Sequence, residues 1–252
     1  YIYAQITDGV NPEVSVYADG PIVAKKAGTG EGDEGISVDP RGDLVNYYKL
    51  TRDGRIFNLG DSPSLGSVAA LGGTRLAIDM ELAPYYAGAV VLATDGRVFG
   101  VGNVGMFNDM LAGDREIVFP DNPLDDPQSG LTIDFARDVE VDFEQGAIYI
   151  LDMDGDFVAL GDNAIPNLQP GTVVPGLDVY RDMELSSDHR GMYFLTFAGR
   201  VTGSGSASAS TNLGFNADLG RDLVLSDTGG VLILDAYGRL HGGGPANRTQ
   251  TR

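Results

Sequence analysis

A glycine-centred turn recurs along the chain at nearly regular intervals. This turn glycine is found at Gly20, Gly54, Gly96, Gly155, Gly199 and Gly238. Aspartate–glycine between two apolar runs is typical of a β-hairpin, because glycine adopts the positive φ that a two-residue hairpin turn needs. Around Gly155 the alternation of apolar runs and turns predicts three strands, at 136–142, 147–153 and 156–160.

The spacing of acids before the turn glycine shows that the whole unit repeats. An aspartate lies 17 residues before the glycine at Asp79, Asp138 and Asp182, and 16 residues before it at Asp222. Tyr3 and Ser37 occupy this position in the first two units. Six units in 252 residues average 42 residues each, the period of a propeller blade.

The repeat predicts an all-β fold, a six-bladed β-propeller. We expect one domain over residues 1–252, and we interpret the start at Tyr1 as that of a processed product or of a piece of a longer chain. The predicted units cover about 1–33, 34–73, 74–132, 133–177, 178–217 and 218–252. A blade usually has a fourth, outermost strand, which here must come from the links of variable length between units.

Two segments carry a resemblance to a known family. GISVDPRGDLVNYYKLTRDGRIFNLGD and ARDVEVDFEQGAIYILDMDGDFVALGD resemble blades of six-bladed propellers of the NHL kind. They are also similar to tandem repeats in large exported bacterial proteins. The resemblance extends over nearly the whole chain and implies a fold without an activity, since propellers include enzymes, receptors and scaffolds.

The charge of the chain restricts its partners. Acidic residues number 36 against 17 basic ones, a net charge of −19. This balance argues against nucleic-acid binding, which requires a basic face, and is typical of cation binding or an extracellular setting. Cysteine is absent, and no run of 18 apolar residues predicts a membrane span. We therefore expect protein partners or self-assembly, outside the cell or at its surface.

Arginine–aspartate pairs recur on the first strand of successive units. We predict that they form a structural ring between blades, each arginine reaching one adjacent blade and each aspartate the other. The ring residues are Arg137, Asp138, Arg181, Asp182, Arg221, Asp222 and Asp79. Two positions further on lie Glu81, Glu140 and Glu184. These glutamates could do acid–base chemistry or hold a cation, or they could accept hydrogen bonds from the next blade.

One aspartate triple has the composition of a metal site. Asp152, Asp154 and Asp156 offer oxygen ligands at the spacing that begins an EF-hand-type calcium loop. Phe157 and Asn163 depart from that loop at its sixth and twelfth positions. Calcium is the one cofactor that the sequence suggests, and the alternative is an ordinary aspartate–glycine turn.

The longest link between units, after the third strand of unit three, is rich in acids. It is a candidate partner-binding or cation-binding loop, because function often resides in long loops on a rigid scaffold. A solvated acidic loop is the alternative. The acids are Asp109, Asp114, Glu116, Asp121, Asp125 and Asp126.

The sequence predicts no catalytic residues. Its only histidines are His189 and His241, in different units. A serine–histidine–acid triad through Asp188 and His189 stays open, but no GxSxG elbow accompanies it. The leading prediction is a non-enzymatic structural or adhesive propeller module, as part of a surface assembly or filament. The alternative is a propeller hydrolase or lyase with a calcium or acidic site in the axial channel.

Overall fold

The described chain is built from short antiparallel strands. The computed structural model describes residues 4–6, 14–16, 35–40, 47–59, 63–68, 71, 76–108, 111, 136–171, 178–207, 211–225 and 230–243. Within these residues the only helices are single 3-10 turns at Pro84–Tyr86 and Gly105–Phe107. Neither is long and apolar enough to cross a membrane.

The strands form small sheets, each made of strands that follow one another in sequence. Grouped by sheet, they are β1 (Ala4–Ile6) and β2 (Val14–Val16); β3 (Gly35–Pro40), β4 (Tyr47–Thr51) and β5 (Ile56–Leu59); β6 (Ala77–Leu82), β7 (Gly88–Ala93) and β8 (Val98–Gly102); β9 (Ala136–Asp142), β10 (Ala147–Asp152) and β11 (Phe157–Leu160); β12 (Tyr180–Leu185), β13 (Gly191–Thr196), β14 (Arg200–Gly205) and β15 (Thr211–Asn212); and β16 (Gly220–Leu225), β17 (Val231–Asp235) and β18 (Leu240–Gly243). All pairings are antiparallel.

The middle strands are apolar on both faces because each face packs against a different sheet. In β10, Ile148 and Ile150 join a cluster with Val90 and Leu92 of β7. Tyr149 belongs to another cluster, with residues of β12 and β13. Fully burying one such side chain contributes about 1.5–3 kcal/mol, so these interfaces are the core of the molecule.

The first strands of consecutive units lie side by side. Strand β6 contacts β3 and β9, and β12 contacts β9 and β16. This succession places the first strands of the five sheets from β3 onward, each at one edge of its sheet, in a common row. Closure of the row into a ring of six blades stays a prediction, as do the domain boundaries.

A β-bulge recurs in every first strand from β3 onward. The register skips one residue in each of them: Ile36, Ile78, Arg137, Arg181 and Arg221. A bulge breaks the strict alternation of side chains along a strand and increases its twist. The residue just after the bulge is the repeated aspartate, with Ser37 in its place in β3.

The prediction of an all-β chain of antiparallel hairpins is confirmed. In unit four the strands predicted at 136–142, 147–153 and 156–160 begin and end within one residue of β9, β10 and β11. A fourth strand from a link is present in one unit, where β15 pairs with β14. The residue pattern also predicts a third strand in unit one, at 21–24, and a strand at 115–119, and both segments lie outside the described residues.

Two glycines with similar backbone angles allow a test of how tightly the hairpins pack. A Cβ at Gly205 (φ +68°) would lie 2.3 Å from the carbonyl oxygen of Arg190, whereas a Cβ at Gly214 (φ +62°) meets nothing within 4 Å. Both alanine variants suffer the strain of positive φ, about 1–2 kcal/mol, but only Gly205→Ala must also move backbone. We expect Gly205→Ala to lose at least about 1 kcal/mol more than Gly214→Ala in urea unfolding. Equal losses would contradict this packing.

Candidate functional site

The repeated aspartates connect each first strand to the next. Each first strand is the edge of its own sheet, so alternate backbone N–H groups point away from that sheet. The aspartate of the preceding unit accepts a hydrogen bond from one of these N–H groups through its Oδ2 atom. The N–H of Val139 donates to Asp79 at 3.1 Å, that of Met183 to Asp138 at 2.8 Å, and that of Leu223 to Asp182. We call these three contacts the aspartate staples.

The arginines beside the aspartates also reach the following unit. Arg137 Nε pairs with Asp178 Oδ1 at 3.1 Å, and Arg181 Nη2 pairs with Asp218 Oδ2 at 3.1 Å. Sequence alternation predicted that arginine and aspartate would reach opposite neighbours. The bulge at the arginine accounts for the difference, because it breaks that alternation.

The ion pairs join into a chain that bridges three units. Asp178 also pairs with Arg181, and Asp218 with Arg221, which gives the order Arg137–Asp178–Arg181–Asp218–Arg221. Burial alone would raise the pKa of Asp218, but hydrogen bonds from Arg181 and Arg221 outweigh it and lower that pKa. The sequence prediction did not include Asp178 and Asp218. Each lies four residues before a repeated aspartate, and that recurrence is the signal that could have identified them.

A cavity of about 180 Å³ lies along the row of first strands. Seven carboxyl groups and three guanidinium groups from four strands line it, together with two apolar side chains. The charged residues are Asp79, Glu81, Arg137, Asp138, Glu140, Arg181, Asp182, Glu184, Arg221 and Asp222. The structure therefore brings all the predicted ring residues and all three predicted glutamates to one place.

Burial and mutual repulsion disfavour ionisation of Asp138 and Asp182. Burial raises the pKa of Asp138 well above its ordinary range, and the negative charges of Asp182 and Asp79 raise it further. Burial likewise raises the pKa of Asp182, with the charges of Asp222 and Glu184 adding to the effect. A carboxyl group that holds its proton remains able to accept a backbone hydrogen bond, so the staples do not depend on ionisation.

The pKa values of three further cavity acids, Glu140, Glu184 and Asp222, are also raised. Burial raises the pKa of Glu140 to about 8, against the opposing effect of a hydrogen bond from the Leu185 backbone. Burial raises the pKa of Asp222 to about 7 and that of Glu184 well above its usual range. Groups that titrate near neutrality can transfer protons, and their anions can bind a cation, so the cavity has the chemistry for either task.

The three aspartates of the predicted calcium site lie together in the β10–β11 turn. Their nearest carboxylate oxygens are all within 4.8 Å of one another, and Asp152 and Asp154 are buried. Asp152 Oδ1 already accepts the N–H groups of Asp154, Gly155 and Asp156, at 2.8–3.1 Å. Burial, together with a hydrogen bond with Asp154, raises the pKa of Asp152 to about 8.

A second hairpin turn uses an aspartate in the same way, without the neighbouring aspartates of the triple. Asp235 ends β17 as Asp152 ends β10, and its Oδ1 accepts the N–H groups of Tyr237 and Arg239 at 2.8 and 2.9 Å. Its Oδ2 lies 2.9 Å from His241 Nε2. The aspartate at the end of the middle strand thus caps the hairpin turn in both units, and calcium at the triple stays a prediction.

The remaining predicted sites divide into two groups. All six acids of the long link, residues 109, 114, 116, 121, 125 and 126, lie outside the described residues. His189 is described, but it does not form the triad left open by the sequence. Ser186 Oγ donates to Asp188 Oδ1 at 2.6 Å, whereas the His189 ring faces Asp142 of the preceding unit.

Comparisons with known proteins show similarity without identifying a family. No protein-family model and no curated protein matches the chain. Among solved structures, the extracellular domain of a hybrid two-component system from B. thetaiotaomicron is similar, with 14% identity and a TM-score of 0.48 over 85% of this chain and 27% of that one. A streptogramin B lyase is also similar, with 13% identity and a TM-score of 0.42 over 84% of this chain and 65% of that one. This chain therefore spans less than two thirds of either structure.

Asp138 offers a direct test of the staples. Asp138→Ala leaves the Met183 N–H without its acceptor, and should lower the free energy of unfolding by about 1–3 kcal/mol. Asp138→Asn keeps an acceptor oxygen for this N–H group, so we expect less than half of that loss. Urea unfolding measures both variants, and an equal loss in the two would show that charge, not the hydrogen bond, is what the position provides.

The raised pKa values predict how stability varies with pH. In the unfolded chain the pKa values of Glu140 and Asp222 are the ordinary 4.5 and 3.8. In the folded chain they are raised to about 8 and about 7. The native state therefore binds more protons than the unfolded state in this interval, so stability is lost as pH rises through about 7–8. We expect the melting temperature in chelator-containing buffer to fall from pH 6 to pH 9, and Glu140→Gln to flatten the fall.

The exposed acid Asp162 provides the matched control for this titration. Asp162→Asn removes one carboxylate from the surface and should leave the pH profile unchanged. A wild-type melting temperature that rises between pH 6 and pH 9 would contradict the assignment of raised pKa values to the cavity.

Proposed function

We propose that the chain is a non-enzymatic, extracellular β-propeller module with a structural or adhesive role, built of six NHL-like blades and acting as a subunit of a surface assembly or filament. The observation that carries the proposal is the repetition of the staples. At three successive interfaces the aspartate at this position has a structural role: it accepts a hydrogen bond from a backbone N–H group of the next unit. A catalytic acid would instead be expected to differ from its repeats.

The charge distribution supports the same proposal. The arginines that could bind an anion in the cavity are engaged with Asp178 and Asp218. Most of the excess negative charge of the chain, −19 in total, is therefore left to interact with solvent and cations. Calcium and other divalent cations are abundant outside cells, where such a module would meet partners or copies of itself.

The alternative function is a propeller hydrolase or lyase with a cation in the axial cavity. One observation favours it: seven carboxyl groups converge on a single cavity, several with pKa values raised towards or above neutrality. A divalent cation would relieve their repulsion and could activate a water molecule. Calcium at Asp152, Asp154 and Asp156 belongs to this alternative as well, through the geometry of the triple.

A cation titration separates the two functions. The double variant Glu140→Gln/Glu184→Gln removes two cavity carboxyl groups and leaves the staples in place. Under the scaffold proposal, the variant melts at a higher temperature than wild type at pH 8, because repulsion is reduced, and calcium raises both melting temperatures equally. Under the alternative, calcium raises the wild-type melting temperature by several degrees and the double variant loses that gain. Asp154→Asn reports separately on the triple.

The assembly part of the proposal has its own measurement. Multi-angle light scattering across a hundredfold range of protein concentration should show association that the Glu140→Gln/Glu184→Gln variant retains. A single monomeric species throughout would remove the filament. Turnover of ester, lactone or glycoside substrates that the double variant abolishes would overturn the non-enzymatic proposal.

A further inference from the structure

Asp142 is a buried carboxylate with an unsatisfied oxygen. It ends β9, and its side chain is 0% exposed. Oδ1 accepts the N–H groups of Glu144 and Gln145 at 3.0 and 2.9 Å, which caps the β9–β10 turn. Oδ2 is also buried, and no group of the described residues donates a hydrogen bond to it. A buried carboxyl oxygen without a hydrogen-bond partner costs free energy, so a donor or cation is expected beside it.

His189 comes to this carboxylate from the next unit. It lies in the β12–β13 turn, where the N–H of His189 donates to the Ser186 carbonyl at 2.9 Å. Its φ of +54° is uncommon for a residue other than glycine, and a backbone held there must be fixed by its surroundings. The imidazole Nδ1 is buried and lies 3.0 Å from Asp142 Oδ1, and it has no other hydrogen-bond partner among the described residues.

The second imidazole nitrogen faces another carboxylate. His189 Nε2 lies 3.6 Å from Glu144 Oε2, and the Glu144 side chain is 74% exposed. Nδ1 thus lies on the side of the buried Asp142, and Nε2 lies on the side of the exposed Glu144. A buried carboxylate, an oriented imidazole and an accessible second carboxylate are the components of a carboxylate–histidine–metal arrangement.

We propose that His189 Nε2 and Glu144 bind a divalent transition-metal ion of the zinc type, with Asp142 as the positioning residue for the imidazole. Zinc binds imidazole nitrogen and carboxylate oxygen at about 2.0–2.2 Å, so two ligands at tetrahedral angles lie roughly 3.4 Å apart. The observed 3.6 Å between Nε2 and Oε2 is close to that separation. Water fills the remaining positions, since the site is open on the Glu144 side.

The identity of the ligands determines the class of metal. Imidazole nitrogen suits zinc, copper and nickel, whereas calcium and magnesium prefer sites made only of oxygen. The site is thus distinct from the oxygen-only triple at Asp152, Asp154 and Asp156. It also joins two units, since Glu144 follows β9 and His189 precedes β13, so a bound ion would link neighbouring sheets. This inference is independent of the proposed function.

Zinc titration of the full chain tests the site. Isothermal titration with zinc chloride at pH 7.5 should show one histidine-dependent site per chain, and zinc should raise the melting temperature. We expect His189→Ala to abolish this binding, Glu144→Gln to weaken it at least tenfold, and Asp142→Asn to weaken it about 10–100-fold. Cobalt(II) in place of zinc should give visible absorption that His189→Ala removes.

The other histidine provides the matched control. His241 Nε2 is already within 2.9 Å of Asp235 Oδ2, so His241→Ala should leave zinc binding at His189 unchanged. Because Glu144 is exposed, Glu144→Gln keeps the test valid even where Asp142→Asn fails to fold. Three results would overturn the proposal: no zinc effect on wild type, binding that survives His189→Ala (an adventitious ion only), or loss of binding in His241→Ala alone.

Discussion

The structure depends on whether the backbone N–H groups at the inner edges of its sheets find hydrogen-bond acceptors. An edge strand exposes unpaired N–H and carbonyl groups, and burying them without partners costs free energy. Here the inner edges of β9, β12 and β16 lie against the preceding sheet, and Val139, Met183 and Leu223 are buried there. The aspartates at positions 79, 138 and 182 supply the missing acceptors. The repeated acid is therefore explained by the backbone of the following unit, with no need for a ligand.

This solution places many carboxyl groups close together. Seven of them line one cavity, and burial with mutual repulsion raises the pKa values of Asp138, Asp182, Glu184, Glu140 and Asp222. The arginines offset part of this charge at the rim, through Asp178 and Asp218. The same geometry thus holds neighbouring sheets together and gives the cavity an affinity for protons and cations. The stability of the protein should therefore depend on pH and on cation concentration.

Much of this arrangement could be predicted from the sequence, because it follows from local patterns. Hairpin turns at aspartate–glycine, apolar middle strands and the recurrent Arg–Asp pairs all have short-range signals. The bulge at Arg137, Arg181 and Arg221 could not be predicted, since isoleucine occupies the bulged position in β3 and β6 and no residue type marks it. That bulge is why arginine and aspartate reach the same neighbour.

The contact between Asp142 and His189 escaped prediction for a related reason. The two residues are 47 positions apart and lie in turns of different units, so no spacing within a unit connects them. The sequence instead suggested Asp188 as the partner of His189, because the two are adjacent. In the structure Asp188 accepts hydrogen bonds from Ser186 and Ser206, which leaves the imidazole to the neighbouring sheet.

Native-state hydrogen exchange tests the role of the staples most directly. If the aspartates satisfy the inner edges, the amides of Val139, Met183 and Leu223 should exchange as slowly as the amide of Ile150 in the middle of its sheet, through global unfolding alone. Their protection should fall together with that of the core in denaturant. Exchange of these three amides at rates typical of exposed edge strands, while Ile150 stays protected, would contradict the account.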